Sequence, residues 1–230
     1  MIHDRKVTAL VPIKDHSERV KGKNFRDFCG KPLYHHIVHT LDKTYAVDKI
    51  VINTDSPRVL AEAPKLSPKV EVLERPKELV GDYVSTNMIF EYDISKFESD
   101  IYLQTHATNP LLKAETIADA LNTFLKNEEN HDSLFSVNCY HNRFYDFKGV
   151  PINHDPKKLI RTQDLEPVYE ENSCIYVFTK ESFMKDKKRI GENPFLYVMP
   201  LIEACDIDDE FEFKLAELLN LYYMNSRDNI

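Results

Sequence analysis

The chain has 230 residues, 42% hydrophobic, 30% charged and 11% aromatic, with a formal net charge of -8. That apolar fraction excludes a disordered chain, and no apolar run reaches the ~20 residues of a membrane span. The acidic balance argues against general nucleic-acid binding, which needs a basic footprint, and leaves room for a small anion in a local basic pocket.

The N-terminal stretch MIHDRKVTALVPIK carries only a strand-length apolar run, without the core of a signal peptide. Cys29, Cys139, Cys174 and Cys205 are far apart with no CxxC pair, so neither a zinc knuckle nor a dithiol motif is available. Reduced thiols in a cytoplasm, each a small core residue, are the expectation. Length suits one domain over residues 1–230 with an excursion.

Strand-like and helix-like runs alternate, the pattern of a parallel α/β sheet. Residues 7–13 read as a buried first strand. Residues 32–43 read as an amphipathic helix, with Leu33, Ile37 and Leu41 at a spacing of four and Pro32 at its start. A strand follows at 49–53, a helix at 57–63 and a strand at 70–73. A helix begins at 85–92, and residues 100–104 form a fourth strand. The helix at 113–126 turns Ile117, Leu121, Phe124 and Leu125 inward, and 133–139 is a fifth strand. Residues 140–167, rich in Asn, His, Asp and Pro, read as an excursion of loops and short strands. Strands return at 173–179 and 195–199. A closing helix over 209–224 offers Phe211, Phe213, Leu215, Leu218 and Leu219 for burial. The predicted fold is a Rossmann-like, doubly wound, mostly parallel sheet, with its ligand site at the carboxyl ends of the strands.

The first strand opens into a loop holding Lys14, Ser17, Arg19, Lys21, Gly22 and Lys23. Fixed cations and backbone amides at a strand's end suit a polyphosphate; a solvated basic loop is the plain alternative. Neither GxxxxGK[ST] nor GxGxxG occurs. Asp206 and Asp208 alternate on an extended segment and so share a face. They suit a hard cation, or they cap the last helix together with Asp209. His35, His36 and His39 read as one helix face rather than a zinc site. Tyr140, Phe144, Tyr145 and Phe147 form an aromatic cluster, suited to local packing or to a dimer contact.

The segment PIKDHSERVKGKNFRDFCGKPL resembles the N-terminal signature of the acylneuraminate (CMP-sialic acid and nonulosonate) cytidylyltransferases, matching at Ser17, Arg19, Lys23, Asn24, Gly30, Lys31, Pro32 and Leu33. Further matches follow in order. They are Asn53-Thr54-Asp55, then Arg75-Pro76 with Glu78-Leu79, then Thr108-Asn109-Pro110-Leu111, then Gln163-Asp164-Leu165 running on to Tyr169-Glu170-Glu171-Asn172, and finally Asp206-Ile207-Asp208. The resemblance spans residues 7 to about 217.

The resemblance implies transfer of CMP from CTP to the anomeric hydroxyl of a sialic-acid-like 2-keto sugar acid, with release of pyrophosphate. It implies catalytic roles for Lys23, Lys14 and Arg19, and nucleotide contacts from Ser17, Asn24, Arg75 and Thr86. Acceptor contacts fall to His106, Gln163, Tyr169 and Asn172, and Mg²⁺ to Asp206 and Asp208. It also implies a homodimer closed by the 140–170 excursion. Lys14 stands where Arg is usual, Thr86 where Ser is, His106 where Gln is and Ser173 where Gly is. These departures keep two other readings in view: CMP transfer to another acid such as a phosphonate, and a nucleotide-binding module without catalysis.

Overall fold

The computed structural model describes residues 4–17 and 19–227, with side chains described to residue 222. In chain order the strands are β1 (Val7–Ile13), β2 (Asp27–Phe28), β3 (Lys31–Pro32), β4 (Lys49–Thr54), β5 (Val70–Glu74), β6 (Ile101–Gln104), β7 (Ser133–Tyr140), β8 (Val168–Phe178) and β9 (Pro194–Val198). The helices are α1 (Leu33–Lys43), α2 (Pro57–Glu62), α3 (Thr86–Lys96), α4 (Ala114–Asn127), α5 (Lys180–Asp186) and α6 (Glu210–Arg227). Seven strands form one sheet in the order β5-β4-β1-β6-β8-β7-β9, and β2-β3 is a small separate hairpin. Within the large sheet β8 alone runs against its neighbours, antiparallel to both β6 and β7.

Both faces of the sheet are covered, and the period-two alternation of the strands sorts their side chains between them. Ala9 and Val11 of β1, Ile50 and Ile52 of β4, and Ile101 and Leu103 of β6 pack with Ile37 and Leu41 of α1 and with Ile117 and Leu121 of α4. The intervening Leu10, Val51 and Tyr102 face the other way, onto Phe90 and Ile94 of α3 and Phe183 of α5. A third cluster joins Val20, Phe28 and Leu33 to Ile207 and to Phe213 and Ala216 of α6. That cluster pins the segment before α6 against the loop after β1. Arg26 reinforces it, stacking 4.2 Å from the centre of the Phe213 ring while Nη1 donates to Glu210 at 2.6 and 2.7 Å.

Several expectations change. β8 starts at Val168, earlier than residue 173, because Val168–Glu171 continue the ladder opposite Val137–Tyr140 and carry the two strands out as an arm. On α6, Phe213 is buried but Phe211 is 73% exposed and Leu218 is 65% exposed, since the helix docks along one stripe only. Of the cysteines, Cys174 is buried and Cys29 is exposed. Cys29 sits in the β2–β3 turn at φ 50. On α1, His36 Nε2 is 2.8 Å from the Phe28 carbonyl, in keeping with a satisfied helix face. No helix among the described residues is long and apolar enough to cross a membrane.

Candidate active site

In an open sheet the chain winds outward from a switch point, and the splayed loops there leave a crevice at the carboxyl ends of the strands. Here β1 lies between β4 and β6, and the cleft opens where their following loops part. It holds about 370 Å³ and is lined by Lys14, Ser17, Arg19, Lys23 and Asn24 after β1, by Arg75 after β5, by Thr86 at the start of α3, and by His106 and Thr108 after β6. Eight of the expected residues thus converge from four separate stretches of chain. A larger hollow of about 520 Å³, lined by Arg5, Glu128, Asp132 and Lys185 among others, contains none of them.

The loop after β1 is held by its backbone. Gly22 adopts φ 64, a left-handed turn that other residues take only under strain, and so starts the tight turn Lys23–Phe25. Asn24 is buried, and its Nδ2 donates to the Lys14 carbonyl at 2.9 Å, so this side chain braces the loop from within. Asp55 Oδ1 accepts from the Asp15 amide at 2.8 Å, tying the loop after β1 to the loop after β4.

Lys23 Nζ donates to the Ile207 carbonyl at 2.5 Å and lies 3.5 Å from Asp208 Oδ1. Arg19 Nη2 donates to the same carboxylate oxygen at 2.8 Å. Lys14 Nζ pairs with Asp82 at 3.3 Å across the cleft mouth. The Ile207 amide donates to the Thr108 carbonyl at 3.0 Å, docking the Asp206–Asp208 stretch beside the end of β6. Asp206 Oδ1 is buried without a hydrogen-bond partner. Burial, with Asp208 nearby, raises the Asp206 carboxyl above its ordinary range, against the opposing pull of a Thr108 hydrogen bond and the Lys23 charge. An orphaned hard oxygen beside a second carboxylate suits Mg²⁺, which takes one or two protein carboxylates and keeps several waters. Among the described residues no group of three or more His, Cys, Asp or Glu is placed to hold a metal.

Arg75 lies on the cleft floor, 4% exposed. Its Nε donates to Asn53 Oδ1 at 2.8 Å and its Nη2 to the Asn53 carbonyl at 2.9 Å. Asn53 Nδ2 in turn donates to Asp93 Oδ1 at 2.6 Å. Asp93 is fully buried on α3, and desolvation pushes its pKa from 3.8 to about 7 against the opposing pull of Asn53 and Arg75. Thr86 stands in the first turn of α3, which is capped by Ser85 accepting from the Asn87 amide.

On the β6 side, His106 Nε2 is 2.7 Å from Gln104 Nε2. Burial lowers the imidazole from 6.5 to about 4, helped by the Arg189 and Lys23 charges, so the ring is neutral at pH 7. An imidazolium greeting an anionic acceptor is therefore not what this position offers. Gln163 and Tyr169 are exposed on the arm and outside the cleft. Asn172, expected at the acceptor, is instead buried in the irregular stretch of β8. There Oδ1 accepts from Ser136 Oγ at 2.5 Å and Nδ2 donates to Asn138 at 3.0 Å, which explains its place inside the sheet. Ser173 takes φ 57, so the usual glycine at this position answers to a backbone requirement.

Sequence reasoning met Asn53 only within the Asn53-Thr54-Asp55 match and did not single out Asp93, Gln104 or Arg189. A lone Asp or Arg in a helical or loop stretch gives no periodic or motif signal; only the fold brings these four under the cleft.

A doubly wound sheet with a cation-rich cleft at its switch point suits an enzyme that handles an anionic nucleotide. Residues 8–227 match the family model described as Cytidylyltransferase, and the chain belongs to that family. It is 24% identical over 221 residues, 91% of this chain and 94% of the relative, to the pseudaminic acid cytidylyltransferase of Campylobacter jejuni. It is 26% identical over 227 residues, 93% of this chain and 96% of the relative, to the CMP-N,N'-diacetyllegionaminic acid synthase of Legionella pneumophila. In fold it is similar to a CMP:2-keto-3-deoxy-manno-octonic acid synthetase complexed with CTP, with a TM-score of 0.65 at 14% identity over 95% of this chain and 99% of that one.

Proposed function

We propose that the protein transfers CMP from CTP to the anomeric hydroxyl of a nonulosonic sugar acid and releases pyrophosphate. The observation that carries this reading is the convergence of Lys23 and Arg19 on Asp208, beside the orphaned Asp206 oxygen, with Lys23 and Arg19 lining the same cleft as Arg75 and His106. Names of relatives that act on pseudaminic and legionaminic acids support the acceptor class.

The acceptor's hydroxyl oxygen forms a bond to the α-phosphorus and gives up its proton to solvent, in line with the bond to the bridging oxygen, which breaks as pyrophosphate leaves. Negative charge grows on the phosphoryl and leaving oxygens. Groups aimed there in advance act more strongly than solvent would. Lys23 and Arg19 are placed to supply that charge, with Lys14 at the cleft mouth. Lys14 offers a point charge where the family's Arg offers a planar fork. Arg75 and Thr86, which line the cleft, would face the cytidine, and Asn24 keeps the loop in shape through Lys14's carbonyl. Asp206 and Asp208 would hold Mg²⁺, which supplies Lewis-acid stabilisation of the phosphoryl oxygens.

The arm is the proposed dimer contact. Phe147 is 94% exposed and Leu159 is 88% exposed, with Val150 and Ile152 exposed beside them. Such apolar surface finds cover in a second copy, and Gln163 and Tyr169 on the same arm would then reach a partner's cleft.

The test is pyrophosphate release from CTP with pseudaminic, N,N'-diacetyllegionaminic and N-acetylneuraminic acids, with and without EDTA. Turnover with at least one acid, abolished by EDTA and weaker with ATP, supports the reading. Full activity in EDTA, or release without any acid, defeats it.

A further inference from the structure

The acceptor side of the cleft contains a hydrogen-bonded chain that no catalytic expectation uses. Arg189, in the turn between α5 and β9, lies over the Tyr176 ring with its guanidinium carbon 3.8 Å from the ring centre. Its Nη1 donates to Gln104 Oε1 at 3.0 Å and its Nη2 to the Tyr176 hydroxyl at 3.1 Å. Glu171 backs this arrangement, accepting from the Tyr176 hydroxyl and lying 3.7 Å from Arg189 Nη2. Gln104 and Tyr176 are fully buried, so neither has solvent as an alternative partner.

The chemistry of the donors then fixes the protons. Arginine only donates, so the Gln104 atom facing it must be the carbonyl oxygen. The other end of the amide, Nε2, only donates as well, and it faces His106 Nε2 at 2.7 Å. That ring nitrogen must accept, so a neutral His106 carries its proton on Nδ1. A free imidazole side chain favours the opposite tautomer. We propose that Arg189, acting through Gln104, locks His106 in the Nδ1–H tautomer, so that this cleft-lining ring presents an N–H donor to an oxygen of the acceptor. Arg189 is thus a positioning residue for specificity. The acceptor half of the inference rests on the function proposed above; the tautomer half does not.

The lock has a direct readout. In full-length protein labelled with ¹⁵N-histidine, long-range ¹H–¹⁵N spectra at pH 7 distinguish a protonated Nδ1 from a protonated Nε2, and His106→Gln assigns the signal. The wild type should show Nδ1–H. Arg189→Met frees the Gln104 amide to turn over, and the His106 signal should move toward Nε2–H; Arg189→Lys, which still donates to Oε1, should retain Nδ1–H. Gln104→Glu provides a second variant, whose carboxylate accepts from the ring and should force Nε2–H. An Nε2–H wild type, or an Arg189→Met spectrum matching the wild type in a folded protein, overturns the lock.

The kinetic arm uses whichever of pseudaminic, N,N'-diacetyllegionaminic or N-acetylneuraminic acid the wild type turns over fastest. Arg189→Met should raise the KM for that acid at least about five-fold, the scale of one hydrogen bond, with the CTP KM held within about two-fold. An unchanged acid KM alongside a changed tautomer overturns the role in acceptor recognition. Wild-type silence on all three acids defeats the proposed function instead, while the spectra still decide the lock.

Discussion

Asp93→Asn should flatten the pH dependence of folding stability while leaving the fold intact. In the wild type the carboxyl is fully buried and its pKa rises from 3.8 to about 7. Between those values the folded state keeps a proton that the unfolded chain has released. A raised carboxyl therefore contributes stability that is present at low pH and is lost as pH climbs toward 7. Over the whole window the loss is about 4 kcal/mol at ~1.4 kcal/mol per unit, and between pH 5 and 7, where the folded carboxyl is already half ionised at the upper end, it is about 2 kcal/mol. Asparagine is neutral at every pH and keeps an oxygen for the Asn53 amide, which donates to Asp93 at 2.6 Å. Urea titrations of both proteins at pH 5, 6, 7 and 8 give the comparison. The variant should gain on the wild type by about 2 kcal/mol from pH 5 to 7 and level off above 7. Stability curves that run parallel across this range would show that Asp93 stays ionised, and would refute the desolvation argument beneath the Arg75 brace.

Asp208→Ala should lower kcat at least ~100-fold, the scale of losing an electrostatic stabiliser of the transition state; wild-type turnover would place the essential carboxylate elsewhere. Ser173→Gly should stabilise the protein by about 1 kcal/mol by relieving a left-handed backbone, and an unchanged urea midpoint would contradict that. Light scattering should give a mass near two chains, falling toward one in Phe147→Asp combined with Leu159→Asp. A concentration-independent monomer in the wild type would reject the arm as an interface.

Strand and helix order was legible because period-two and period-3.6 apolar patterns report burial directly. Leu10 and Val11 point to opposite faces, as alternation requires. The cation-rich loop after β1 was legible too, since Lys14, Arg19 and Lys23, which line the cleft together, are local in sequence. Long-range choices were not. Whether Phe211 or Phe213 of α6 finds a partner depends on Phe28 and Leu33 nearly two hundred residues earlier, and no local pattern encodes that pairing. The burial of Asn172 was not legible for a related reason. Its motif fixes a position in the chain, but the irregular pairing of β7 with β8 turns the side chain into the sheet, onto Ser136 and Asn138. His106 lines the cleft, but its contact with Gln104, and the Arg189 behind Gln104, were not legible, since Arg189 arrives from 83 positions beyond His106.

The central claim is that this cleft joins a CMP group to a sugar acid at the expense of CTP. The most direct measurement is ³¹P NMR of a single reaction containing the protein, CTP, Mg²⁺ and pseudaminic or N-acetylneuraminic acid. The triphosphate signals should give way to one phosphodiester resonance and an equal amount of pyrophosphate, with neither forming when the acid is left out. Free CMP accumulating in place of the phosphodiester, or CTP persisting unchanged with every nonulosonic acid offered, would contradict it.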